Sequence, residues 1–563
     1  MTCASHDVGI AIKYPPWCWG KDTSVLWIRN IVGCALILVG LVVAQEHSHA
    51  SGERLGVVHF STSCNEKAQL EFDRAVALLH SFEFSQAVAG FNVVLKNDPG
   101  CVVAYWGIAL SDWSNPFAPG AKDKSQLQAG RAAAQLGTTT GAKTERERDY
   151  IAAAAALYAN FENTPQQARV IAYRDAMQAL ASKYADDHEA QIFYALAIAA
   201  SEDPSDKTYA GRLKAGAILE ELFAEEPNHP GLAHYIIHTY DVPPLAGRAL
   251  VAARRYSEIA PDAPHALHMP SHTFTRTGYW TDSIRSNVAA AAAAKHDGET
   301  AEELHASDYE VYAYLQTGQD EAARRVVSSL AEIESRFDPN KVVSGAASPA
   351  VGYFALAAIP ARYALERGDW KQAAQLAMRE TPFPHTEAIS WFARGLGSAR
   401  TGQAKMAYES AVALEKIRER LGASGERYWA LQVEIQEHEV RAWALLAEGK
   451  KQEALQEMRL AVELEDGTEK SAVTPGPLAP ARELLGEMLL ATDQPGLALV
   501  EFETTLKKEP GRFRALYGAG RAAKMSGRDE ASRYFRELVR TCESGDRPGR
   551  AEFVEAQKAI ARE

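Results

Sequence analysis

Apolar residues recur every three or four positions along most of the chain, the spacing that places them on one face of an α-helix. Residues 66–99 show the pattern, with a break near Ser81 between two apolar stretches. The second stretch and a later segment carry the same sequence of large, small and proline residues, namely Phe84, Ala87, Phe91 and Pro99, then Gly486, Leu489, Ala498, Phe502 and Pro510. The repetition predicts an all-α protein of stacked helical pairs.

These residues resemble the tetratricopeptide repeat (TPR), a helix-turn-helix unit of about 34 residues. Weaker copies occur at residues 368–377, 402–411, 449–461 and 527–535, so the resemblance covers most of residues 63–540. It implies a TPR-like right-handed superhelical solenoid with a concave inner surface. Protein or peptide ligands are the partners that such a groove implies.

Composition breaks and repeat quality divide the chain into an N-terminal segment, a series of repeat groups and a tail. The expected divisions are residues 1–44, a signal peptide or anchor; 45–62, a polar tail containing histidine; 63–225, N-terminal repeats; 226–335, histidine-rich central repeats; 336–470, degenerate repeats; 471–545, C-terminal repeats; and 546–563, a charged tail.

An uncharged apolar run, IVGCALILVGLVV, occupies residues 31–43 and follows Lys21 and Arg29. The run is shorter than the roughly 20 residues of a membrane-spanning helix, and Val42 and Ala44 provide the small residues of a cleavage site. We therefore expect a signal peptide cleaved after Ala44, with an uncleaved anchor as the alternative. Both interpretations predict export to the periplasm or another extracytoplasmic space, with membrane contact only through an uncleaved segment.

Charge and motif content narrow the function. The 563-residue chain has a formal net charge of −13 and no long Lys/Arg run, which argues against nucleic acid as a partner because phosphate binding needs a concentrated cationic face. The sequence also lacks the GxSxG, HExxH and phosphate-loop motifs of common enzyme classes. No catalytic residue is predicted, and enzyme activity stays open.

Half of the sixteen histidines fall within residues 229–305. His234 and His238 are four residues apart, as are His268 and His272, so each pair lies on one face of a helix. The two pairs are separated by one repeat length, 34 residues, and occupy the fifth and ninth positions of successive first helices. In TPR proteins these positions face the concave groove, so the resemblance implies four inward-facing imidazoles.

Four imidazoles around one volume suit a transition metal, because neutral imidazole binds zinc, copper, iron and nickel. Nearby groups that could add a ligand or orient an imidazole are His265, His305, Asp241 and Asp308. Two alternatives remain, since duplication of a repeat copies histidines whether or not they bind anything. The histidines could form a structural polar network, or a metal-free groove whose charge responds to pH.

Four further segments carry a second resemblance, HFSTSC at 59–64, FDRAVALLHSF at 72–82, AYWGIALSDWSNPF at 104–117 and TPGPLAPARELLGEMLL at 474–490. In these segments the chain resembles a family of exported bacterial TPR proteins. The resemblance implies fold and location but no reaction. The leading hypothesis is an exported protein-binding or assembly module with a histidine-lined metal site (zinc, copper or iron) in its central groove. The alternatives are a metalloenzyme using the same histidines and a metal-free interaction protein.

Two smaller signals depend on export. Cys64 and Cys101 are 37 residues apart, each just before the first helix of its repeat, and could form a disulfide in an oxidising compartment. The alternative is two buried thiols. Cleavage after Ala44 would place His47 third in the mature chain, where the terminal amine and imidazole could together bind Cu(II) or Ni(II).

Overall fold

The computed structural model describes residues 52–118, 120–203, 205–341 and 345–561, and within these ranges every regular element is a helix. This confirms the all-α, TPR-like helix-turn-helix solenoid. The expected signal segment and His47 lie outside the described residues. None of the described helices combines the length and the apolar character that crossing a membrane requires.

The N-terminal repeats form antiparallel helical pairs that follow one another along the chain. Their helices are α1 (Glu66–His80), α2 (Phe84–Asn97), α3 (Ala104–Trp113), α4 (Lys124–Thr140), α5 (Glu145–Ala156), α6 (Gln166–Lys183), α7 (His188–Ser201) and α8 (Ala210–Glu225).

The histidine-rich central region contains three further helical pairs. Its helices are α9 (Pro230–Thr239), α10 (Leu250–Ile259) preceded by a 3-10 turn (Ala246–Ala249), α11 (Pro264–His268), α12 (Pro270–Thr277), α13 (Trp280–Asp297), α14 (Thr300–Gln316) and α15 (Asp320–Arg336).

The remaining helices continue the array to the C-terminal end of the described chain. They are α16 (Pro349–Leu365), α17 (Trp370–Ala374), α18 (Pro384–Arg400), α19 (Ala404–Ala423), α20 (Arg427–Ala447), α21 (Lys451–Asp466), α22 (Ala481–Ala491), α23 (Pro495–Lys508), α24 (Phe513–Met525), α25 (Ala531–Thr541) and α26 (Ala551–Ile560).

Small residues occur where helices approach most closely, which explains the repeated sequence pattern. A Cβ atom added to Gly107 would lie 2.2 Å from the ring of Phe91, and one added to Gly518 would lie 2.4 Å from the ring of Phe502. Any larger residue at either position would push the aromatic ring out of the helix interface. Glycine is therefore required there by the packing of one helical pair on the next.

Buried apolar side chains form two large clusters. One comes from residues 55–274 and the other from residues 354–556, and a smaller cluster from residues 304–363 lies between them in sequence. The central histidines lie on α9, α11, α12 and α14, at the C-terminal end of the first large cluster. They are thus held by a packed interior, not by a surface loop.

Both segments expected to be tails contain buried residues where the structure describes them. In the segment before α1, Leu55, Val58 and Phe60 are buried, and the Phe60 ring lies 4.9 Å from that of Tyr150. At the other end, α26 buries Phe553 against the preceding helices. Each segment therefore adds buried apolar contacts to the repeat array, which its polar or charged composition did not indicate.

Cys64 and Cys101 are joined in a disulfide, with their Cα atoms 4.8 Å apart. Cys64 precedes α1 and Cys101 precedes α3, so the bond links the same end of two successive first helices. This is the pairing that the repeat spacing of the two cysteines predicts.

Candidate metal centre

The four spaced histidines occupy equivalent positions on two neighbouring first helices. Pro230 begins α9 and Pro264 begins α11, so each histidine pair falls at the fifth and ninth residues counted from its proline. Pro270 interrupts the hydrogen bonding between α11 and α12, because proline has no backbone N–H. Met269 nevertheless keeps helical φ and ψ values of −54° and −36°, so the i,i+4 relation survives across the break.

The structure divides the central histidines into two groups of three. The first triad consists of His234, His238 and His265, and the second triad of His268, His272 and His305. In each triad the three candidate ligand atoms lie within 4.8 Å of one another. The four spaced histidines therefore do not share one site; each pair gains a third imidazole.

Hydrogen bonds fix the tautomer of His268 in the second triad. Its Nδ1 lies 2.7 Å from Oδ1 of Asn287, whose Nδ2 in turn donates to the Ser283 carbonyl at 2.8 Å. The amide orientation of Asn287 follows from that second bond, so Nδ1 of His268 carries the proton and donates it. The Nε2 atom of His268 is therefore the atom with a free lone pair.

An ionised carboxylate fixes the tautomer of His272 in the same way. Its Nδ1 donates to Oδ2 of Asp241 at 3.0 Å, and Asp241 also accepts from Arg276 at 2.9 Å and from Lys470 at 3.0 Å. Burial alone would raise the pKa of Asp241, but the charges of Lys470 and Arg276 and the His272 hydrogen bond hold it well below its usual value. The proton of neutral His272 therefore stays on Nδ1.

Two lone pairs consequently face each other in the second triad. Nε2 of His268 lies 3.1 Å from Nε2 of His272. In the assigned tautomers neither nitrogen carries a proton, so no hydrogen bond joins them. Two nitrogens bound to one tetrahedral ion at about 2.0–2.1 Å would lie about 3.3–3.4 Å apart. The observed separation is close to the one that a shared cation requires.

The third member, His305, comes from α14, and its ring centroid lies 4.4 Å from that of His268. Its Nδ1 is buried and has no hydrogen-bond partner among the described residues. Next to it, the Tyr309 hydroxyl lies 3.4 Å from Nδ1 of His272 and donates to a backbone carbonyl of the loop before α22, 3.1 Å away at Ala472. The loop thus closes the second triad from one side.

The first triad has the same kind of geometry. His234 Nδ1 donates to the backbone carbonyl of His80 at 2.6 Å, at the end of α1 where helix carbonyls need other donors. Nε2 of His234, Nε2 of His238 and both ring nitrogens of His265 are buried with no partner in the described part of the chain. A metal-binding histidine commonly donates its other N–H to a carbonyl or carboxylate in this way.

Burial keeps these imidazoles neutral. The exposed fraction of the six residues runs from 0% for His234 to 7% for His305. Desolvation lowers the pKa of these two residues to about 3, and lowers the pKa values of His238, His265 and His268 well below their usual range, with neighbouring imidazoles adding to the effect. Neutral rings keep the lone pairs that a metal ion needs.

A third histidine group, His80, Glu189 and His229, is equally buried but fully hydrogen-bonded. Glu189 accepts from Nε2 of His80 at 2.9 Å and from Nε2 of His229 at 3.0 Å. The remaining nitrogens also have partners, because Tyr235 OH lies 3.0 Å from Nδ1 of His80 and the Leu232 N–H lies 3.3 Å from Nδ1 of His229. This saturated group is a structural polar network.

Asp308 is not a member of either triad, contrary to its expected role as a possible ligand. Its carboxylate pairs with the buried guanidinium of Arg362 at 2.8 Å, and Arg362 also donates to Thr474 at 2.6 Å. The pair anchors the loop before α22 to α14 and α16. Asp241 differs, since it reaches His272 directly.

The triads border a cavity of about 810 Å³. Four of the six imidazoles and two aromatic side chains contribute to its wall, namely His238, His265, His272, His305, Phe383 and Trp429. The two triads therefore border one shared cavity.

Sequence reasoning identified Asp241 as a group that could orient an imidazole but missed Asn287 and Lys470. Asn287 lies on α13 and Lys470 in the loop before α22, and neither has a spacing that relates it to the histidines. The spacing of His229 and His80 also does not relate them to the two histidine pairs. The sequence offered one signal for His229, because it directly precedes Pro230 and caps α9.

No protein-family profile matches the chain, and no curated protein sequence matches it. Among solved structures, the chain is similar to the human IFIT1 dimer with m7Gppp-AAAA (11% identity, TM-score 0.35, covering 85% of this chain and 96% of that chain). It is also similar to the APC/C hetero-tetramer Cut9–Hcn1 (12% identity, TM-score 0.33, covering 88% and 90%). At these values the alignments carry no inference about ligands or function.

Proposed function

We propose that the protein is a metal-binding helical-repeat protein whose buried histidines hold a transition-metal ion beside the cavity that they border. The facing Nε2 atoms of His268 and His272 carry this proposal. Two buried lone pairs 3.1 Å apart repel each other unless a cation lies between them. A shared proton is disfavoured, because burial lowers the pKa of both residues.

The donor set indicates which ions would bind. Each triad offers imidazole nitrogens and no carboxylate, which favours zinc, copper, iron or nickel over magnesium, calcium or manganese. Asp241 and Asn287 orient His272 and His268 from behind, an arrangement that fixes the ring positions before the ion arrives. Zinc and copper are the ions that we would test first.

A metalloenzyme is a second candidate, supported by the number of ligands. Three protein nitrogens leave a tetrahedral ion one open position, as in catalytic zinc sites, whereas structural zinc sites use four protein ligands. His272 and His305 of the second triad also line the cavity, so a small molecule there could reach the open position. An exchangeable water on the bound metal would favour this candidate over a purely structural site.

The metal-free, pH-responsive groove has less support. Such a groove needs exposed imidazoles that become charged near neutral pH, but the six residues are at most 7% exposed and burial holds their pKa values down. Protein or peptide binding elsewhere on the solenoid remains part of the proposal. Its partner would contact surfaces other than the buried triads.

Metal analysis of the full-length protein tests the proposal. The protein would be incubated with zinc sulfate, desalted and measured by mass spectrometry for zinc per chain. The test variant is His268→Asn with His272→Asn, because an asparagine amide nitrogen occupies about the position of Nδ1 and keeps the bonds to Asn287 and Asp241 while removing Nε2. We expect the variant to lose one equivalent of zinc.

The matched control is His229→Gln in the saturated group. A glutamine amide can replace both hydrogen bonds of that buried ring, so zinc content should equal that of the unmodified protein. A second-triad variant that folds and keeps all of its zinc would contradict the proposal.

We also propose export, which the Cys64–Cys101 disulfide supports because such bonds persist in oxidising compartments. Cell fractionation should place the protein outside the cytoplasm, and mass spectrometry of the purified chain should find Gln45 at the N-terminus. A cytoplasmic protein with residues 1–44 retained would contradict this.

A further inference from the structure

We infer that the two triads form one paired-metal centre, with a second ion held by His234, His238 and His265. This inference rests on the proposed function and extends it from one ion to two. It is carried by the unsatisfied nitrogens of the first triad and by the contact between the two triads, neither of which was used to argue for the first ion.

The first triad leaves its nitrogens without partners to an unusual degree. Four of its six ring nitrogens are buried with no hydrogen-bond partner among the described residues. They are Nε2 of His234, Nε2 of His238 and both ring nitrogens of His265. A buried polar atom left unsatisfied costs about 1–3 kcal/mol. In the saturated His80–Glu189–His229 group every ring nitrogen has a partner, so the same fold does satisfy buried imidazoles elsewhere.

Aromatic rings, not polar groups, enclose the first triad. Phe82 lies 4.3 Å from the ring of His234, and Phe117 is stacked at 4.4 Å on the ring of His238. Tyr256 is stacked on the other side of His234 at 5.2 Å. These contacts fix the planes of the imidazoles while supplying no donor or acceptor to Nε2 of either histidine.

No layer of protein separates the triads. The rings of His238 and His272 are 5.9 Å apart, and those of His265 and His268 are 6.1 Å apart, centroid to centroid. Separations within the second triad reach 6.5 Å, between His272 and His305. Neighbouring rings of different triads are therefore as close as rings of the same triad.

The repeat architecture explains this adjacency. The helix α11 lies in the middle of the three first helices and contributes to both sites, since His265 belongs to the first triad and His268, three residues later, to the second. Two ions held this way would occupy adjoining sites with no protein layer between them. Both would face the cavity through His238 and His265 on one side and His272 and His305 on the other.

Copper titration with electron paramagnetic resonance tests the inference on the full chain. All proteins would carry His47→Ala, which removes the copper site expected at a processed N-terminus. The first-triad variant is His234→Asn with His238→Asn, in which the amide of residue 234 can still donate to the His80 carbonyl. The second-triad variant is His268→Asn with His272→Asn, and His265→Gln serves as a single-site alternative if the first-triad variant does not fold.

The expected result is two equivalents of Cu(II) in the His47→Ala protein and one in each triad variant. Two Cu(II) ions in adjoining sites interact through space, so the two-copper protein should give a spectrum broadened by dipolar coupling, and each variant should give the sharper spectrum of an isolated ion. A single equivalent that the first-triad variant retains would overturn the second site and leave the proposed function standing. Two equivalents with the unbroadened spectrum of isolated ions would overturn the pairing, and copper content unaffected by either variant would overturn both proposals.

Discussion

Two kinds of buried histidine group adjoin each other at the hydrogen bond from His234 to the His80 carbonyl, yet their ring nitrogens are satisfied differently. In the His80–Glu189–His229 group one carboxylate accepts from both rings, and every ring nitrogen has a partner. In the two triads a partner orients at most one nitrogen of each ring, and the other nitrogens point at one another or at aromatic rings. Burial is the same, so the difference lies in the partners alone.

The comparison shows why histidine count and burial do not define a metal site. A carboxylate placed among imidazoles takes up their N–H groups and produces a polar network. A carboxylate or amide placed behind an imidazole, as Asp241 and Asn287 are, turns the ring so that its lone pair faces inward. The distinguishing feature is the direction of the lone pair, which only the hydrogen-bond partners reveal.

The largest effect is expected in the saturated group. Replacing Glu189 with alanine leaves two buried N–H donors without an acceptor, and each loss costs about 1–3 kcal/mol. Chemical denaturation should therefore show a loss of about 2–6 kcal/mol, and zinc should not reduce it. A loss, relative to the unmodified protein, that is smaller with zinc than without it would mean that this group also binds metal, which would break the comparison.

Metal-dependent stability should be confined to the triads. An ion present at about 100 times its dissociation constant stabilises the folded state by about 2.7 kcal/mol per site. Zinc should therefore raise the thermal transition of the unmodified protein, and a chelator should reverse the shift. In the His268→Asn, His272→Asn variant the zinc-induced shift of the thermal transition should lose the contribution of one site. A shift equal to that of the unmodified protein would mean that zinc binds elsewhere.

A smaller effect is expected from Asp241→Asn. The amide is a weaker acceptor for the Nδ1–H of His272, and loss of such an orienting group typically reduces metal affinity about 10–100-fold. Competition against a chromophoric chelator would measure the affinity of the second triad. Circular dichroism of the metal-free variant is the control, because Arg276 and Lys470 also lose a charged partner. An unchanged affinity would show that the carboxylate does not orient the ring.

The smallest effect is expected at His296, whose side chain is 88% exposed at the end of α13. Replacing it with alanine should leave zinc content unchanged, since it belongs to the same histidine-rich stretch but to neither triad. A loss of zinc would indicate that surface histidines, not the buried triads, account for the bound metal.

Much of the candidate site could be predicted from the sequence because it follows the repeat. The 34-residue spacing placed His234 with His268 and His238 with His272 on successive first helices, and that register is present. The same spacing suggested that the four imidazoles could surround one volume, whereas the structure groups each pair with a third histidine. His265 and His305 complete two separate triads, and which triad each joins depends on how α11 and α14 pack against their neighbours.

The sequence by itself determined the helical repeat and the register of four histidines, because both follow from local periodicity and repeat length. It left the pairing of Cys64 with Cys101 open against two buried thiols, and the structure shows the disulfide. The tertiary structure alone decided which lone pairs are free. That outcome depends on Asn287, Asp241 and Lys470, which reach the histidines from a second helix and two loops. Hydrogen-bond direction arises from contacts between distant segments, and no spacing within a single helix encodes it.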